Sequence, residues 1–397
     1  MTNSTRLYFI DTMRAWAILM MLQGHFIDGL LDPVFRNPES TLYNIWLYFR
    51  GITAPVFFTV SGFIFTFLLI RVPQLGWENP RVKKGIRRGL QLLLIGYLLR
   101  LNLFGLLKGQ LYDSFFLVDV LHCIGLSIMA ITGVYLLTIK KRKYLFPLSL
   151  LGISVLLFLF EPLYKQWSFG FLPDAMANYF TKANGSVFTI IPWLGYTAFG
   201  AFLSILFTRF KESKFLYPVA IVASLVVGQL LIRFSSEAFM ALHEATGVEL
   251  FKLIYANNYL FIRLGDVLVV FALFMMIRKF LVHQAFLKIG QNTLAIYVIH
   301  FIVLYGSFTG LGLYKFLHHG LTPTVAITGA IAFMVICTYA ALQYDKHETT
   351  IKKRLATVAE QVKTQAVAAY TASIPLVREV GYQLKLLLRR VFGVVRN

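Results

Sequence analysis

Residues 8–31 read YFIDTMRAWAILMMLQGHFIDGLL. A helix of this length is long enough to cross a bilayer, yet it carries Asp11, Arg14, His25 and Asp28. Arg14 and His25 are eleven positions apart, which at about 100° per residue is three turns and roughly 20° more. The two side chains therefore share a face, about 16 Å apart along the axis. Ionisable groups inside a membrane helix are costly and by default mark a site or a pathway. A cation towards one end of that face and an imidazole towards the other suggest a ligand laid between them.

The rest of the chain agrees with a membrane setting. It has 397 residues, 58% hydrophobic and 14% charged, and a mean hydropathy of +0.69. Soluble domains carry about a quarter charged residues. The sequence therefore predicts an all-α polytopic integral membrane protein. Candidate spans fall at about 8–31, 51–70, 87–107, 115–139, 144–160, 187–208, 215–233, 259–281, 290–312 and 324–343, ten in all. Cations alternate between the loops. One set holds Arg71, Arg81, Lys83, Lys84, Arg87 and Arg88, then Lys140 to Lys143, then Arg209, Lys211 and Lys214, then Arg278, Lys279 and Lys288. The intervening loops are poorer in Lys and Arg, so both termini are expected on the cytoplasmic side, and the expected location is a bacterial inner membrane.

The net charge of +20 lies mainly in these loops and the tail, which argues against a nucleic-acid surface. Cys123 and Cys337 sit in apolar segments and read as small fillers rather than a disulfide framework. No cleavable signal peptide is expected, because the first apolar run is too long and no small-residue cleavage site follows it. A membrane domain over 1–344 is followed at 345–397 by a tail that is polar at first and then basic and amphipathic. Arg378, Lys385, Arg389 and Arg390 fall largely away from its Leu and Val face, as in a helix lying on anionic inner-leaflet lipids or, alternatively, docking a partner.

Depth follows from topology. Asp11 and Arg14 fall near the inner face and His25 in the outer half, with Asp28 three residues on and able to orient its ring. Arg100 and Asn102 on the third span, Asp119 and His122 on the fourth, and Arg263 and Asp266 on the eighth come to the same outer layer. His300 on the ninth lies towards mid-membrane. Such groups must face inward and pair. Each also has a structural reading: Arg263–Asp266 as an ion pair, Asp119–His122 as a helix contact, Arg100 as a snorkelling residue. His300 also reads as a helix-contact residue, and Trp193, after Pro192, as an interface anchor. The histidines lack neighbours at metal-ligand spacing, so no metal is expected. No Gly-rich phosphate loop follows a strand, so no tightly bound nucleotide cofactor is expected.

Arg14, ten residues and then His25 resembles the Arg–His signature of the acyltransferase family 3 membrane proteins. Phe57-Phe58-Thr59-Val60-Ser61-Gly62-Phe63 resembles the FF-x-x-SGF stretch that follows it there. Ile10-Asp11-Thr12-Met13-Arg14, Asp119-Val120-Leu121-His122-Cys123-Ile124-Gly125 and Tyr297-Val298-Ile299-His300 also resemble the heparan-α-glucosaminide N-acetyltransferase-like group. The strongest matches cover the first seventy residues. A departure is that the human-type glucosaminide enzymes carry their key histidine beyond this helix, which leaves oxygen or nitrogen open as the acceptor atom.

The resemblance implies transfer of an acyl group, usually acetyl, from cytosolic acyl-CoA to a carbohydrate or glycolipid acceptor on the far side. Arg14, with Lys84, Arg87 or Arg88, would hold the CoA phosphates. The pantetheine arm is comparable in length with the separation of Arg14 and His25. An imidazole, whose ordinary pKa is about 6.5, suits proton removal from an attacking hydroxyl or amine, with Asp28 holding its tautomer. Arg100, Asn102, Asp119, His122, Arg263, Asp266, His300 and Trp193 are candidate substrate contacts. The oxyanion donor is open, with Ser61 and Asn102 as candidates, as is the choice between direct transfer and an acyl-histidine. A proton-coupled secondary transporter is the alternative, weakened by the lack of a repeat relating the two halves. A structural or sensor membrane protein with a partner-recruiting tail is a third reading.

Overall fold

The computed structural model describes residues 7–392, and among these the secondary structure is helical, with two isolated β-bridges and no strand. The principal helices are α1 (Tyr8–Leu30), α2 (Thr41–Ile70), α3 (Pro80–Arg100), α4 (Val120–Thr138), α5 (Leu145–Leu159), α6 (Ile190–Arg209), α7 (Leu216–Thr246), α8 (Tyr259–Met276), α9 (Gln284–Gln291), α10 (Thr293–Tyr305) and α11 (Pro323–Phe392). Contacts divide the chain into two units, Met1–Ala341 and Leu342–Asn397. The first is a helical bundle. The described part of the second is helical and largely exposed. The last five residues of the basic stretch expected to lie on lipid, 393–397, are outside the described residues.

Each of the ten expected segments overlaps a helix, but composition does not support ten spans. Among the described residues, six helices are long and apolar enough to cross a membrane, and a seventh span results if α9 and α10 count as one. The cations of α3, in its first half especially, and the ionisable groups of α1 keep these two outside that set, and α5 has only 15 residues. The ninth segment is not the continuous span over 290–312 that hydropathy suggests. It bends by 71° between α9 and α10, and α10 stops at Gly306, whose φ of +71° is rarely open to other residues.

The local sequence explains the helix starts. The Ser40 hydroxyl accepts the Tyr43 N–H at the head of α2, so that helix begins ten residues before the apolar run. Asn79 accepts the Arg81 N–H at 2.8 Å with Pro80 in the first turn of α3. The Asn79 amide also donates to the Leu69 carbonyl at 2.9 Å, tying that turn to the end of α2.

Helix α1 runs through the core and is buried along its length, from Phe9, Ile10 and Met13 to Leu22, Phe26 and Leu30. It packs on α2, α8, α9 and α10, while α2 pairs with α6, α3 with α4 and α7 with α8. The α2–α6 approach requires glycine. A Cβ on Gly62 would lie 1.9 Å from the Thr197 carbonyl oxygen, and one on Gly200 1.8 Å from that of Thr59. The glycine of the Ser61-Gly62-Phe63 stretch is thus a packing residue.

One end of the bundle is closed by backbone pairing. Leu321 N–H donates to the Leu30 carbonyl at 2.9 Å and Asp32 N–H to that of Leu321 at 3.0 Å. Phe308 exchanges hydrogen bonds of 2.9 Å with Leu101 and Leu103. The segment after α10 is thereby fastened to the C-terminal ends of α1 and α3. Between these ends the candidate site lies.

Candidate active site

His25, near the C-terminal end of α1, does not hydrogen-bond Asp28. Its Nδ1 lies 3.0 Å from Nε2 of His300, which α10 carries into the core. The rings are 5.2 Å apart between centroids and inclined at 36°. His300 is fully buried, and its Nδ1 abuts the carbonyls of Ile296 and Tyr297 without meeting hydrogen-bond geometry with any described residue. We assign the proton of neutral His300 to Nδ1, facing those carbonyls. Its Nε2 then accepts from the His25 Nδ1–H. This tautomer leaves Nε2 of His25 with a free lone pair.

Asp28, expected to orient His25, instead pairs with Arg50 of α2. The reason is geometric: α2 extends back to Thr41 and brings the guanidinium across from α1. The backbone carbonyl of Asp28 accepts from Arg36 at 2.7 Å. His300 thus occupies the orienting position assigned in sequence to Asp28.

Two cavities meet at His25. The smaller, about 220 Å³, has Met20, Met21, Phe57, Phe58 and Trp193 among its walls. The larger, about 840 Å³, reaches Arg100, Asn102 and Asp119 and the rings of Tyr112, Phe301 and Tyr305. His25, Asp28, Arg50, Val187 and Phe188 line both. Lys182, on the loop before α6, also lines the smaller one. Burial, and then the neighbouring Lys165, holds its ammonium below the ordinary lysine range.

The other charges at this end of the bundle are mostly held by one another. Arg100 binds Asp119 at 3.0 Å. Asp119 is not inside the fourth helix but caps it, and the Asp119 N–H donates to Nδ1 of His122 at 3.2 Å, completing a capping box. His122 is fully buried and lines neither cavity. Arg263 binds Asp266 at 2.9 Å, Tyr48 donates to Asp266 at 2.6 Å, and the guanidinium lies over the rings of Tyr48 and Tyr259. That cluster bolts α8 to α2, and neither Arg263 nor Asp266 lines either of these two cavities. Asn102 is not on the third span, which ends at Arg100; it caps the short helix Leu103–Leu107 and lines the larger cavity.

At the other end of α1, Arg14 donates from Nη2 to Thr293 Oγ1 at 2.8 Å. Arg88 is close enough to interact with it electrostatically. Arg87 instead lines a shallow groove along α3 with Lys83 and Gln91, and Lys84 is exposed. The four expected cations do not converge on one point.

Arg50 and Lys182 are site residues that sequence reading missed. The run of Tyr43, Trp46, Tyr48 and Phe49 after a Ser40 cap was the available signal for Arg50. Nothing local marks Lys182.

No curated protein matches the chain in sequence. The family model for the acyltransferase domain does match, over residues 7–342, an interval that contains Arg14, His25, His300 and both cavities. By that match, over most of its length, the chain belongs to acyltransferase family 3.

Proposed function

We propose that the protein moves an acyl group, acetyl in the simplest case, from cytosolic acyl-CoA to a hydroxyl or amine of a carbohydrate or glycolipid acceptor on the outer side of the membrane. The observation that carries this reading is the position of His25. Its Nδ1 is held by His300, and its ring borders two cavities at once.

In this mechanism His25 Nε2 takes the proton of the attacking O–H or N–H as the acceptor adds to the thioester carbonyl. A new C–O or C–N bond forms, the C–S bond breaks, and the departing thiolate receives the proton from His25. His300 keeps Nε2 as the basic nitrogen and accepts the imidazolium Nδ1–H while the charge lasts. A thioester is already activated, so positioning and proton removal supply much of what is needed. The smaller, largely apolar cavity suits the acyl group. The larger one suits the acceptor, because Tyr112, Phe301 and Tyr305 offer faces to sugar rings and Asn102 and Gln110 offer polar groups. Arg14, held by Thr293 and near Arg88, is the first candidate for the CoA phosphates.

The test is transfer of labelled acetyl from acetyl-CoA to envelope glycans by membranes containing wild type, His25→Ala or Arg14→Ala. The expected result is labelled acceptor with wild type only, while CoA still protects the His25→Ala protein from thermal unfolding. Wild type that neither transfers label nor binds any acyl-CoA would overturn the proposal.

A further inference from the structure

Acyl transfer develops negative charge on the carbonyl oxygen, and a preorganised donor for it is the element the site still requires. The two candidates from sequence do not supply it. The Ser61 hydroxyl donates to the Phe57 carbonyl at 2.7 Å. Asn102 accepts the Gly105 N–H through Oδ1 and lines only the larger cavity, away from the smaller one that suits the acyl group.

Buried donors without a partner among the described residues include Trp193 Nε1, Arg100 Nε, Tyr297 Oη and Ser307 Oγ. Of these residues, Trp193 alone lines the smaller cavity, where His25 also stands. Its side chain is 93% withdrawn from solvent, at 7% exposure. Phe188 and Phe58 pack against the indole at centroid distances of 4.8 and 5.1 Å, and Tyr196 at 5.7 Å. An N–H buried unpaired costs stability and calls for an explanation. The indole N–H is also a donor with no acceptor capacity, so it can serve an oxygen that gains charge without competing with His25 for the proton.

We infer that Trp193 is a catalytic residue whose Nε1–H donates to the acyl carbonyl oxygen. This rests on the acyl-CoA reading above. As the acceptor oxygen or nitrogen adds to the carbonyl carbon, the π electrons move onto the carbonyl oxygen, where the indole N–H meets them. The acceptor proton passes to His25 Nε2. On collapse the C–S bond breaks and the thiolate takes that proton. The rings around the indole fix the donor in place before substrate arrives, which is what makes such a donor effective. Met20, Met21, Phe57 and Phe58 then form the walls against which a small acyl chain lies.

The experiment uses the full-length protein in liposomes with labelled acetyl-CoA. Trp193→Phe is expected to lower kcat on the order of a hundredfold while the KM for acetyl-CoA changes by less than about threefold. S-ethyl-CoA, a thioether without the carbonyl, should bind both proteins equally. Replacing Trp193 with the isosteric benzothienylalanine removes the N–H alone and should give the same loss, even if phenylalanine perturbs folding. On a His25→Ala background, the infrared carbonyl band of bound acetyl-CoA should sit at lower frequency with Trp193 present than with benzothienylalanine. An active wild type whose benzothienylalanine protein keeps its kcat, or whose carbonyl band does not move, overturns the assignment. Weaker S-ethyl-CoA binding in the benzothienylalanine protein also overturns it, making Trp193 a packing residue. A wild type inert towards acyl-CoA instead overturns the reading on which it rests.

Discussion

Near one end of the bundle two pairs each include a buried histidine, and they differ in what they touch. His25 and His300 meet through their ring nitrogens at 3.0 Å, and His25 borders two cavities. Asp119 and His122 meet through a capping box. Each pair leaves a buried nitrogen without a hydrogen-bond partner among the described residues, Nδ1 of His300 and Nε2 of His122. Around His122 there is no room for a ligand: a Cβ on Gly96 would fall 2.5 Å from the ring, and Tyr97 packs on it at 4.4 Å. Both pairs include a fully buried histidine, His300 in one and His122 in the other. His25 borders both cavities and His122 neither, although Asp119 lines the larger one, so the two pairs differ in whether an imidazole reaches a cavity.

The sharpest break between the pairs is the alanine variant of each. His25→Ala should lower kcat on the order of a thousandfold, as expected for a lost general base, with little change in thermal unfolding in detergent. His122→Ala should leave kcat within about threefold and lower the unfolding temperature instead, since the buried ring leaves a cavity. A large activity loss from His122→Ala with an unchanged melt would put the second pair into the chemistry and dissolve the distinction.

His300 sharpens the comparison because it acts through another residue. His300→Ala removes the acceptor for the His25 Nδ1–H and should lower kcat roughly tenfold to a hundredfold, the range typical of an orienting partner. His300→Gln offers a carbonyl oxygen in place of Nε2 and should recover part of that loss, with the KM for acetyl-CoA unchanged in both. Equal losses from Ala and Gln, tracking the melting temperature, would make His300 a packing residue.

Much of this was legible in sequence where one helix carries the information. The shared face of Arg14 and His25 depends on helical pitch alone, and both ends of α1 stand where the 3.6-residue repeat puts them. Partners across helices were not legible. Asp28 lies three residues from His25 in sequence, yet it turns to Arg50, and His25 turns to a residue 275 positions away. Hydropathy also misplaces polar starts. The apolar run of α2 begins after Arg50, whereas the helix begins at Thr41 because Ser40 caps it. Asp119 reads as a buried charge on a helix face until its position one residue ahead of α4 shows it to be a cap. Gly62 was noticed as part of a motif, but its cause, the carbonyl of Thr197, lies on another helix.

The capping pair offers a further test on stability. Asp119→Ala removes both the cap of α4 and the partner of Arg100. Loss of an N-cap costs about 1–2 kcal/mol, and leaving Arg100 unpaired, with a side chain only 16% exposed, adds to it. Asp119→Asn keeps the cap oxygen and loses only the ionic component, so its melt should lie between Ala and wild type. If Asn melts like Ala, the Arg100 contact outweighs the cap.

The smallest expected effect extends the rule to the other end of the bundle. There the cations differ in their relation to Arg14: Arg88 is near enough to act on it electrostatically, Arg87 lines the groove along α3, and Lys84 is exposed. If CoA phosphates gather around Arg14, Arg88→Ala should raise the KM for acetyl-CoA about three- to tenfold at unchanged kcat, a loss of roughly 1 kcal/mol of ground-state binding. Lys84→Ala should leave it unchanged, and Arg87→Ala should fall between them. Because the interaction is partly solvated, the Arg88 effect should shrink as salt is raised from low to physiological strength. Equal shifts for all three variants would mean a diffuse basic surface attracts the donor, and the ordering around Arg14 would then carry no meaning for binding.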